Sequence, residues 1–589
     1  MTKVATLWKE QEDKVRENGK QITAQLRQFA QEGTIADGDG EDGLEFDVIE
    51  QAYDHYKARF DSKYGGFGAA PKFPTPVHLR ALLRFGAHDQ VVRDIVGDKE
   101  VAHARAMAVK TLECMAKGGI KDQIGHGFAR YSVTRDWSLP HFEKMLYDNA
   151  QLLSLYLDAW LLTKKELFLE TAHDIATYLT STPMRSELGG IHASENADSA
   201  PSAIDHHKRE GAFYVFSYDE FKQILDTDEL KVAAKYYNVK PGGNVDGRYD
   251  QQGELAGKNT LCVVYDIVDL ATELSMPEDK VKALIASSKR KLLEYRDANR
   301  PRPSLDDKIV TSWNGMAIGA LVRAGSALGA SSPDKAREYL QGAVRAVNCI
   351  RDNVYDSQTH TLRRIYREGP GDTQGFADDY AFLIAGLVDV YEATYDDSYL
   401  SFADNLQKRQ IELFWDSKGA GGFFSTPENQ PDILVRTKDG MDSAEPSTNG
   451  VSASNLFRLG SLLNDEDYER KAKRTVSAFE VEIGQHPGLF TGMMANVVAA
   501  KLGMKSLMII GDGELSQKAV AKFKEKLRPN WTVLRVGMDG AKDDWVKKRN
   551  GLLKDVPAGK ELVQICEGRT CRFVEMKDMD TAFDGNTQV

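Results

Sequence analysis

Residues 149–162 read NAQLLSLYLDAWLL, and this stretch decides the fold because its apolar residues leave almost no polar face. A helix that is apolar all round must be buried on every side. After the polar segment TKKE at 163–166, a second helix carries a single apolar stripe, formed by Phe168, Ala172, Ile175, Ala176 and Leu179. The pair therefore predicts an inner helix with an outer helix packed on it.

The same alternation of inner and outer helices recurs along most of the chain. Candidate inner helices are 76–87, 141–162, 312–329, 378–393, 447–463 and 491–503. Candidate outer helices are 46–61, 101–117, 166–181, 277–297, 335–351, 399–414 and 467–483. Recurring helical pairs form either an open solenoid or a closed ring. Six inner and about six outer helices favour the closed ring, so the predicted fold is mainly α, an (α/α)6 toroid or six-hairpin barrel.

The segments outside the helical pairs give the domain organisation. Residues 1–44 are predicted as a leading helix at 5–31 and an acidic linker at 33–43, and residues 45–503 as the toroid. An insertion at about 189–275 contains strand-like pieces, AFYVFS (212–217) and NTLCVVY (259–265), which indicate inserted β-hairpins. Residues 504–589 are predicted as a small α/β appendage, with strands at 506–510, 531–536 and 561–566 and a helix near 514–527.

Composition excludes several classes of protein. The chain has 589 residues and a net charge of −12, and this acidic balance argues against nucleic-acid binding. No apolar run is long enough to span a bilayer, and the N-terminus resembles neither a signal peptide nor a transit peptide. Five Cys exclude a disulfide framework and indicate a reducing compartment. We therefore expect a soluble cytoplasmic protein, whose oligomeric state the sequence leaves open.

Unusual polar clusters lie immediately before the inner helices or at their starts. They are APKFPTP (70–76), WSLPHFEKMLYDN (137–149), RPSLDDKIVTSWNG (302–315), GFADDY (375–380) and DSAEPSTNG (442–450). If the inner helices run parallel, these clusters meet at one mouth of the ring, where helix N-termini offer free N–H groups. Converging polar groups in a concave site are the default hypothesis for an active site.

The candidate residues of this mouth fall into two sets. The catalytic candidates are His141, Glu143, Asp307 and Asp379. The candidates for substrate binding are Lys72, Arg130, Trp137, Tyr147, Asp148, Asp306, Trp313, Asn314 and Tyr380. The spacing of His141, Glu143 and Tyr147 predicts that they share about one helical turn.

Each cluster also has a purely structural interpretation. Asp378 is a candidate N-cap, and Asp306, Asp307 and Lys308 read equally as a solvated charge run. Capping is the favoured interpretation of the fifth cluster, which contains the helix-capping types Asp442, Glu445, Ser447 and Asn449.

Neither a cofactor nor a metal is predicted. The glycine-rich pieces such as KYGGFG (63–68) and GGIHAS (189–194) lack the Lys-Ser/Thr ending of a phosphate-binding loop. The histidines have no recognised metal-ligand spacing. Cys566 and Cys571, spaced C-x4-C without a second pair, are not assigned a metal site or a redox role.

The ordered motifs closely resemble a family of thioredoxin-domain-containing proteins that includes the spermatogenesis-associated members of animals. The matching stretches include GGFGAAPKFPTP (65–76), SLPHFEKMLYDNAQLL (138–153), RPSLDDKIVTSWNG, FADDYAFL (376–383) and DSAEPSTNG. The resemblance implies a toroid related to N-acylglucosamine 2-epimerases and six-hairpin glycosidases. It also implies an N-terminal thioredoxin-like domain in a complete member. No C-x-x-C precedes residue 45, so we expect this chain to be a trimmed or naturally short form.

The resulting functional prediction is a carbohydrate-active enzyme of the epimerase or isomerase type, acting on a sugar or similar polyol. Such a reaction needs a base that takes a proton next to a carbonyl and an acid that returns it. His141 is the best single candidate because imidazole titrates near neutrality, with Glu143, Asp307 or Asp379 as its partner. The alternatives are a glycoside hydrolase with paired carboxylates and a non-catalytic ligand-binding or scaffold protein.

Overall fold

Six helical hairpins follow one another round a closed ring in the computed structural model of the chain. The structure describes residues 2–32, 44–205, 207–250, 252–329, 331–431, 433–537, 544–553, 561–567, 570–579 and 581–583. The predicted acidic linker at 33–43 lies outside these residues.

The regular elements are numbered in chain order. The helices are α1 (Thr2–Glu10), α2 (Glu12–Glu32), α3 (Asp47–Arg59), α4 (Pro76–Arg84), α5 (Gln90–Val96), α6 (Asp98–Lys117), α7 (Leu146–Thr163), α8 (Glu166–Thr180), α9 (Tyr218–Ile224), α10 (Thr227–Tyr236), α11 (Ile267–Leu274), α12 (Glu278–Asn299), α13 (Thr311–Leu328), α14 (Pro333–Asn353), α15 (Ala377–Thr394), α16 (Asp397–Phe414), α17 (Thr448–Leu463), α18 (Glu466–Ser477), α19 (Glu480–Gln485), α20 (Met494–Leu502), α21 (Glu514–Lys524) and α22 (Asp544–Arg549). The strands are β1 (Tyr131–Ser132), β2 (Pro140–His141), β3 (Lys144–Met145), β4 (Ser194–Glu195), β5 (Asp198–Ser199), β6 (Arg209–Glu210), β7 (Leu305–Asp306), β8 (Ile309–Val310), β9 (Tyr355–Asp356), β10 (Thr361–Leu362), β11 (Ile365–Tyr366), β12 (Lys505–Ile510), β13 (Trp531–Val536), β14 (Leu562–Glu567) and β15 (Thr570–Phe573).

The ring is an (α/α)6 toroid, which confirms the predicted fold class. Its inner helices are α4, α7, α13, α15, α17 and α20, and its outer helices are α3, α6, α8, α14, α16 and α18. Helix α7 is buried along almost its whole length, which is why the alternation of inner and outer helices can be recognised in the sequence. Although α7 is strongly apolar, none of the helices in the described part of the chain is both long enough and apolar enough to cross a membrane.

Contacts between the first and last hairpins close the ring. Nδ1 of His78, on α4, lies 2.7 Å from the hydroxyl oxygen of Thr491, and both side chains are buried. The buried hydroxyl of Tyr56, on α3, donates a 2.6 Å hydrogen bond to the carbonyl oxygen of Gly488. The closed ring, rather than the open solenoid, is therefore the architecture of the chain.

The second inner helix begins later than the sequence predicted. Residues Pro140–His141 and Lys144–Met145 form the short strands β2 and β3, and the helix starts at Leu146. The expectation that His141, Glu143 and Tyr147 share one helical turn is therefore wrong for the first two. The β-pairings of β2 with β1 and of β3 with β4 hold this segment in an extended conformation.

The insertion contains the short helices α9, α10 and α11 and a β-hairpin formed by β5 and β6. The strand-like pieces 212–217 and 259–265 are not strands, although an isolated bridge between Phe216 and Asn259 joins them. Helix α12, predicted as an outer helix of the ring, packs instead on α9, α10 and α11 of the insertion. Aromatic and aliphatic residues in these pieces fill a small core of the insertion, which gives them the apolar composition of strands.

The C-terminal residues form the predicted α/β region. Its mixed sheet has the strand order β13-β12-β14-β15, with β12 and β13 parallel and α21 between them in the chain. Because side chains alternate across a strand, Leu507 and Ile509 face the region's own small core, whereas Met508 belongs to the core of the ring. Cys566 and Cys571, opposite each other on β14 and β15, are joined by a disulfide that the sequence analysis did not expect.

The inner helices α13 and α15 approach each other backbone to backbone. A Cβ atom built on Gly315 would lie 2.5 Å from the carbonyl carbon of Phe382, and one built on Gly386 would lie 2.6 Å from the carbonyl oxygen of Gly315. Such distances leave no space for a methyl group, so glycine is required at both positions.

We expect the substitution Gly315→Ala to lower the free energy of unfolding by about 1–3 kcal/mol, because the added methyl group must push two backbones apart. Urea denaturation followed by circular dichroism measures this change. The control is Gly484→Ala, in α19, where a Cβ atom meets nothing within 4 Å. This control is expected to be neutral or slightly stabilising. Equal stability of the two variants would contradict the close helix contact.

Candidate functional site

The starts of the inner helices meet at one mouth of the ring, as the sequence predicted. The backbone N–H of Ser312, on α13, donates to the carboxylate of Asp379, on α15, at 3.0 Å. The side-chain amide of Gln151, on α7, donates to the carbonyl oxygen of Ala444, just before α17, at 2.8 Å. These hydrogen bonds join the start of α13 to that of α15, and α7 to the loop before α17.

Asp379 serves as a cap in this structure. Its carboxylate is fully buried and accepts hydrogen bonds from the backbone N–H groups of Phe376 and Ser312. The guanidinium of Arg364 lies 2.9 Å from the same carboxylate and 3.0 Å from that of Asp378. Asp379, the third residue of α15, therefore makes the capping contact that was predicted for Asp378, and its partners enclose it.

Lys72 and Trp137 are buried inside the protein. The Nζ of Lys72 is 2.6 Å both from the carboxylate of Asp61 and from the carbonyl oxygen of Gly65. The indole N–H of Trp137, which is fully buried, donates to the carbonyl oxygen of Tyr64 at 2.9 Å. Both side chains fix the loop that precedes α4.

Asn314 and Tyr380 are likewise engaged with the backbone. The buried amide of Asn314 accepts from the N–H of Ile191 and donates to the carbonyl oxygens of Ile191 and Val310. The hydroxyl of Tyr380 accepts from the N–H of Leu362 at 3.0 Å. These contacts position the chain around α13 and α15.

Asp306 and Asp307 are partly exposed and paired with cations. A carboxylate oxygen of Asp306 lies 3.1 Å from the Nζ of Lys308, and one of Asp307 lies 2.7 Å from the Nε of Arg367. Neither carboxylate shares a hydrogen bond or an ion pair with His141 among the contacts of the described residues.

His141 stands at the centre of a small charged and aromatic cluster. Its Nδ1 lies 2.7 Å from a carboxylate oxygen of Glu210, and its Nε2 lies 3.9 Å from one of Glu143. The hydrogen bond to Glu210 is the main reason why the pKa of His141 is raised above 6.5. The imidazole stacks on Tyr131 at 5.0 Å, and Tyr131 in turn contacts Phe73, whose ring is half exposed.

Arg130 links His141 to the start of α7. Its guanidinium lies 3.2 Å from the carboxylate of Glu143, and Tyr147 is its other close polar neighbour. Next to Tyr147, the buried carboxyl of Asp148 has one oxygen, Oδ2, without a hydrogen-bond partner among the described residues. Burial raises the pKa of Asp148 well above its ordinary value, which favours its neutral form.

Glu445 is the residue that the sequence analysis assigned to capping and that the structure places beside Trp313. The indole N–H of Trp313 donates to its carboxylate at 2.9 Å, and the ring of Trp313 packs on Tyr147 at 5.0 Å. Burial raises the pKa of Glu445 to about 7, although the hydrogen bond from Trp313 opposes this shift. The capping role in this segment belongs to Ser447, whose hydroxyl accepts from the N–H of Gly450.

The mouth therefore combines an imidazole and a carboxyl group whose pKa values are both raised with aromatic faces and one cation. We call the set of His141, Glu143, Arg130, Tyr147, Asp148, Trp313 and Glu445 the mouth cluster. Shifted carboxyl and imidazole groups of this kind are typical of acid–base sites. In the described part of the chain, no three His, Cys, Asp or Glu side chains are grouped as a metal site requires.

Comparison with known proteins places the chain in a family. It is 33% identical over 530 residues to spermatogenesis-associated protein 20 of mouse and of human, with 87% of this chain and 65% of each relative aligned. It is 32% identical over 585 residues to an uncharacterized protein of Caenorhabditis elegans, with 96% of this chain and 76% of that protein aligned. The chain belongs to the spermatogenesis-associated protein 20 family. No protein-family model matches it.

The members of this family with curated sequences are longer than the chain. The chain spans 65% of the length of the mammalian spermatogenesis-associated relatives. The motifs that carried the resemblance in the sequence form, in the structure, the loops and helix starts of the mouth.

Solved structures of lower similarity include a GH76 α-mannanase from Bacteroides thetaiotaomicron, with 11% identity and a TM-score of 0.41 over 78% of this chain and 96% of that one. A sugar epimerase from a ruminal bacterium has 14% identity and a TM-score of 0.28 over 65% of this chain and 92% of that one. Likenesses at these scores do not bear on the function of this chain.

The contact with Glu210 predicts a measurable titration of His141. We expect the pKa of His141 to lie above 6.5, and we expect Glu210→Gln to lower it because the charged imidazole loses its 2.7 Å partner. Two-dimensional NMR of the imidazole C–H groups measures both values, with His141→Gln assigning the resonance. The matched control is Glu143→Gln, which removes a carboxylate at 3.9 Å and should lower the pKa less. A larger drop in the control would contradict the assigned pairing.

Glu445 predicts a pH dependence of stability. A carboxyl whose pKa rises from 4.5 unfolded to about 7 folded binds more protons in the native state. Its contribution to stability is therefore lost as the pH rises through this window. We expect Glu445→Gln, which keeps an acceptor for Trp313, to raise the melting temperature relative to wild type at about pH 8 more than at about pH 5. Differential scanning calorimetry at the two pH values measures this. A difference between the proteins that does not change with pH would refute the shifted carboxyl.

Proposed function

We propose that the chain is a carbohydrate-active enzyme of the epimerase or isomerase type, with the mouth cluster as its active site. The observation that carries the proposal is the pair of groups shifted toward neutrality, Glu445 with a pKa of about 7 and His141 with a raised pKa. Proton transfer next to a sugar carbonyl needs a base and an acid that are both available near neutral pH.

The assigned roles follow from the partners of each group. Glu445, half ionised near neutrality, acts as the base that removes the proton next to the carbonyl. His141, whose protonated form is stabilised by Glu210, acts as the acid that donates a proton to the developing oxyanion. Arg130 stabilises the negative charge on that oxygen, because a fixed cation in a partly buried site acts strongly on developing charge.

Aromatic faces on both sides of the charged groups fit a sugar ring. Trp313 packs on Tyr147 on the side of Glu445, and Tyr131 with Phe73 extends from the imidazole of His141. The apolar face of a pyranose stacks on such rings, while its hydroxyl groups find the carboxylates and Arg130. The proposed substrate class is therefore a carbohydrate or similar polyol with a carbonyl group.

Asp307 and Asp379 do not enter this proposal. Asp379 is enclosed as a cap, so Asp379→Asn would test the integrity of the helix start rather than chemistry. Asp307 pairs with Arg367 rather than with the imidazole.

A second candidate function is glycoside hydrolysis. Glu445 is a protonated acid below about pH 7, and Glu143, paired with Arg130, is a carboxylate in the same cluster. Two carboxyl groups in different environments are the arrangement that glycosidases use.

One experiment separates these functions. The full chain is incubated with a panel of aldoses, ketoses, 2-acetamido sugars and aryl glycosides in D2O, and products are followed by NMR and mass spectrometry. An epimerase or isomerase incorporates non-exchangeable deuterium at the carbon next to the carbonyl, whereas a glycosidase cleaves the glycosidic bond without doing so. We expect deuterium incorporation by the wild-type chain.

Substitutions in the mouth cluster test the roles. His141→Gln and Glu445→Gln should each reduce the exchange rate by at least about 100-fold with the fold intact, because general acid–base groups contribute this much. The matched control, Glu294→Gln, changes an exposed glutamate of α12 and should leave the rate unchanged. Full activity in both mouth variants, or no reaction with any sugar, would overturn the proposal.

A further inference from the structure

A cavity of about 490 Å³ occupies the interior of the ring, beyond the mouth cluster. Its walls are the inner helices α4, α7, α13, α15, α17 and α20. Its floor is formed by the C-terminal region, where Phe523, Lys524, Leu527 and Trp531 lie across the far end. This volume suits a small molecule, since ligand pockets typically measure about 300–1,000 Å³.

Three arginines of the cavity wall share one carboxylate. The Nε of Arg84 donates to Asp158 at 2.8 Å, Arg323 pairs with its other oxygen, and the Nε of Arg80 lies 3.6 Å away. Asp158 is fully buried behind them. We call Arg80, Arg84 and Arg323 the arginine cluster. Its three positive charges face one negative charge, so two charges are not compensated within it.

Arg80 is the member with the weakest attachment. No hydrogen bond joins its guanidinium to any other described residue, and its distant pair with Asp158 is its sole ion pair among them. The side chain is nevertheless 41% exposed, and it lines the cavity. Burial, followed by the neighbouring cations Arg84 and Arg323, holds the pKa of Arg80 well below its ordinary value. A group in this position gains from any anion that enters.

The other charged residues near the floor of the cavity do not supply the missing negative charge. Arg458 pairs with both Asp389 and Glu392 at 2.7 Å, which leaves that group with one excess negative charge. Lys524 lies near Glu392 and adds a positive charge. The two groups together hold five cations and three carboxylates, although the whole chain has a net charge of −12. Asp442, with a pKa raised to about 6, lines the opposite end and is bound by the N–H of Gly492.

We propose that the ring interior holds a binding site for a small dianionic ligand of the phosphate-monoester class, recognised by Arg80 together with Arg84 and Arg323. A dianion compensates the two excess charges, whereas a carboxylate ligand compensates only one. Guanidinium groups also match the oxygens of a phosphate in geometry and form strong charge-assisted hydrogen bonds with them. The site does not depend on the proposed chemistry, because no member of the arginine cluster belongs to the mouth cluster.

Binding of defined probes to the full chain tests this site. The probes are glucose 6-phosphate, inorganic phosphate, glucuronate and glucose, at matched ionic strength. Glucose 6-phosphate and inorganic phosphate should raise the melting temperature progressively with concentration, because a ligand that binds only the native state stabilises it by mass action. Glucuronate should act more weakly, and glucose should have no effect. Titration calorimetry then gives the dissociation constants.

Substitutions at Arg80 locate the binding. Arg80→Met removes the cation at similar volume and should weaken glucose 6-phosphate binding by about tenfold or more, because a hydrogen bond to a charged group is lost. Arg80→Lys keeps the charge and should retain part of the affinity, which covers the case that the methionine variant does not fold. The matched control is Arg93→Met, on the surface of α5. Absence of binding, equal binding by both methionine variants, or equal effects of glucose and glucose 6-phosphate would overturn the proposal.

Discussion

The backbone contact between α13 and α15 is the constraint on which the ring and its mouth depend. Gly315 permits this contact, and the two residues before it make other contacts at the same helix start. Asn314 holds the backbone of the preceding loops, and Trp313 orients Glu445 and packs on Tyr147. A displacement of this helix start would therefore change the packing of the ring and the geometry of the charged groups together. Site and core are coupled through three consecutive residues.

Parallel inner helices bring several helix starts to one place, and the unpaired N–H groups of these starts need polar side chains as hydrogen-bond acceptors. The first N–H groups of every helix need acceptors, and most carboxylates and amides at this mouth supply them or pair with arginine and lysine. Asp379 and Ser447 accept hydrogen bonds from such N–H groups. Burial raises the pKa of Asp379 to about 7 as well. His141 and Glu445 differ from it because their raised pKa values accompany side-chain partners, Glu210 and Trp313, rather than backbone N–H groups. The proposed function uses polar groups of the mouth that do not cap its helices.

Much of the fold was predictable because the spacing of apolar residues along a helix shows which of its faces are buried. Helices such as α7 are apolar all round, and their neighbours have one stripe, so inner and outer positions follow directly. The roles of individual residues were harder to predict, since a capping aspartate and a catalytic one can have the same local sequence. The decisive partners are also distant in the chain: Glu210 is 69 residues from His141, and Glu445 is 132 residues from Trp313. Short strands around His141 depend on pairings that no local pattern reveals.

Ring closure places a long-range condition on folding. The pair His78 and Thr491 joins positions 413 residues apart, so the first hairpin has no closing neighbour until nearly all of the ring has been synthesised. During translation, the open edges of the early hairpins remain without their final partner, and exposed apolar surface of this kind favours aggregation. The same separation makes closure slow relative to formation of each hairpin. The emerging chain therefore behaves as an unfinished solenoid that becomes a toroid only at its last inner helix.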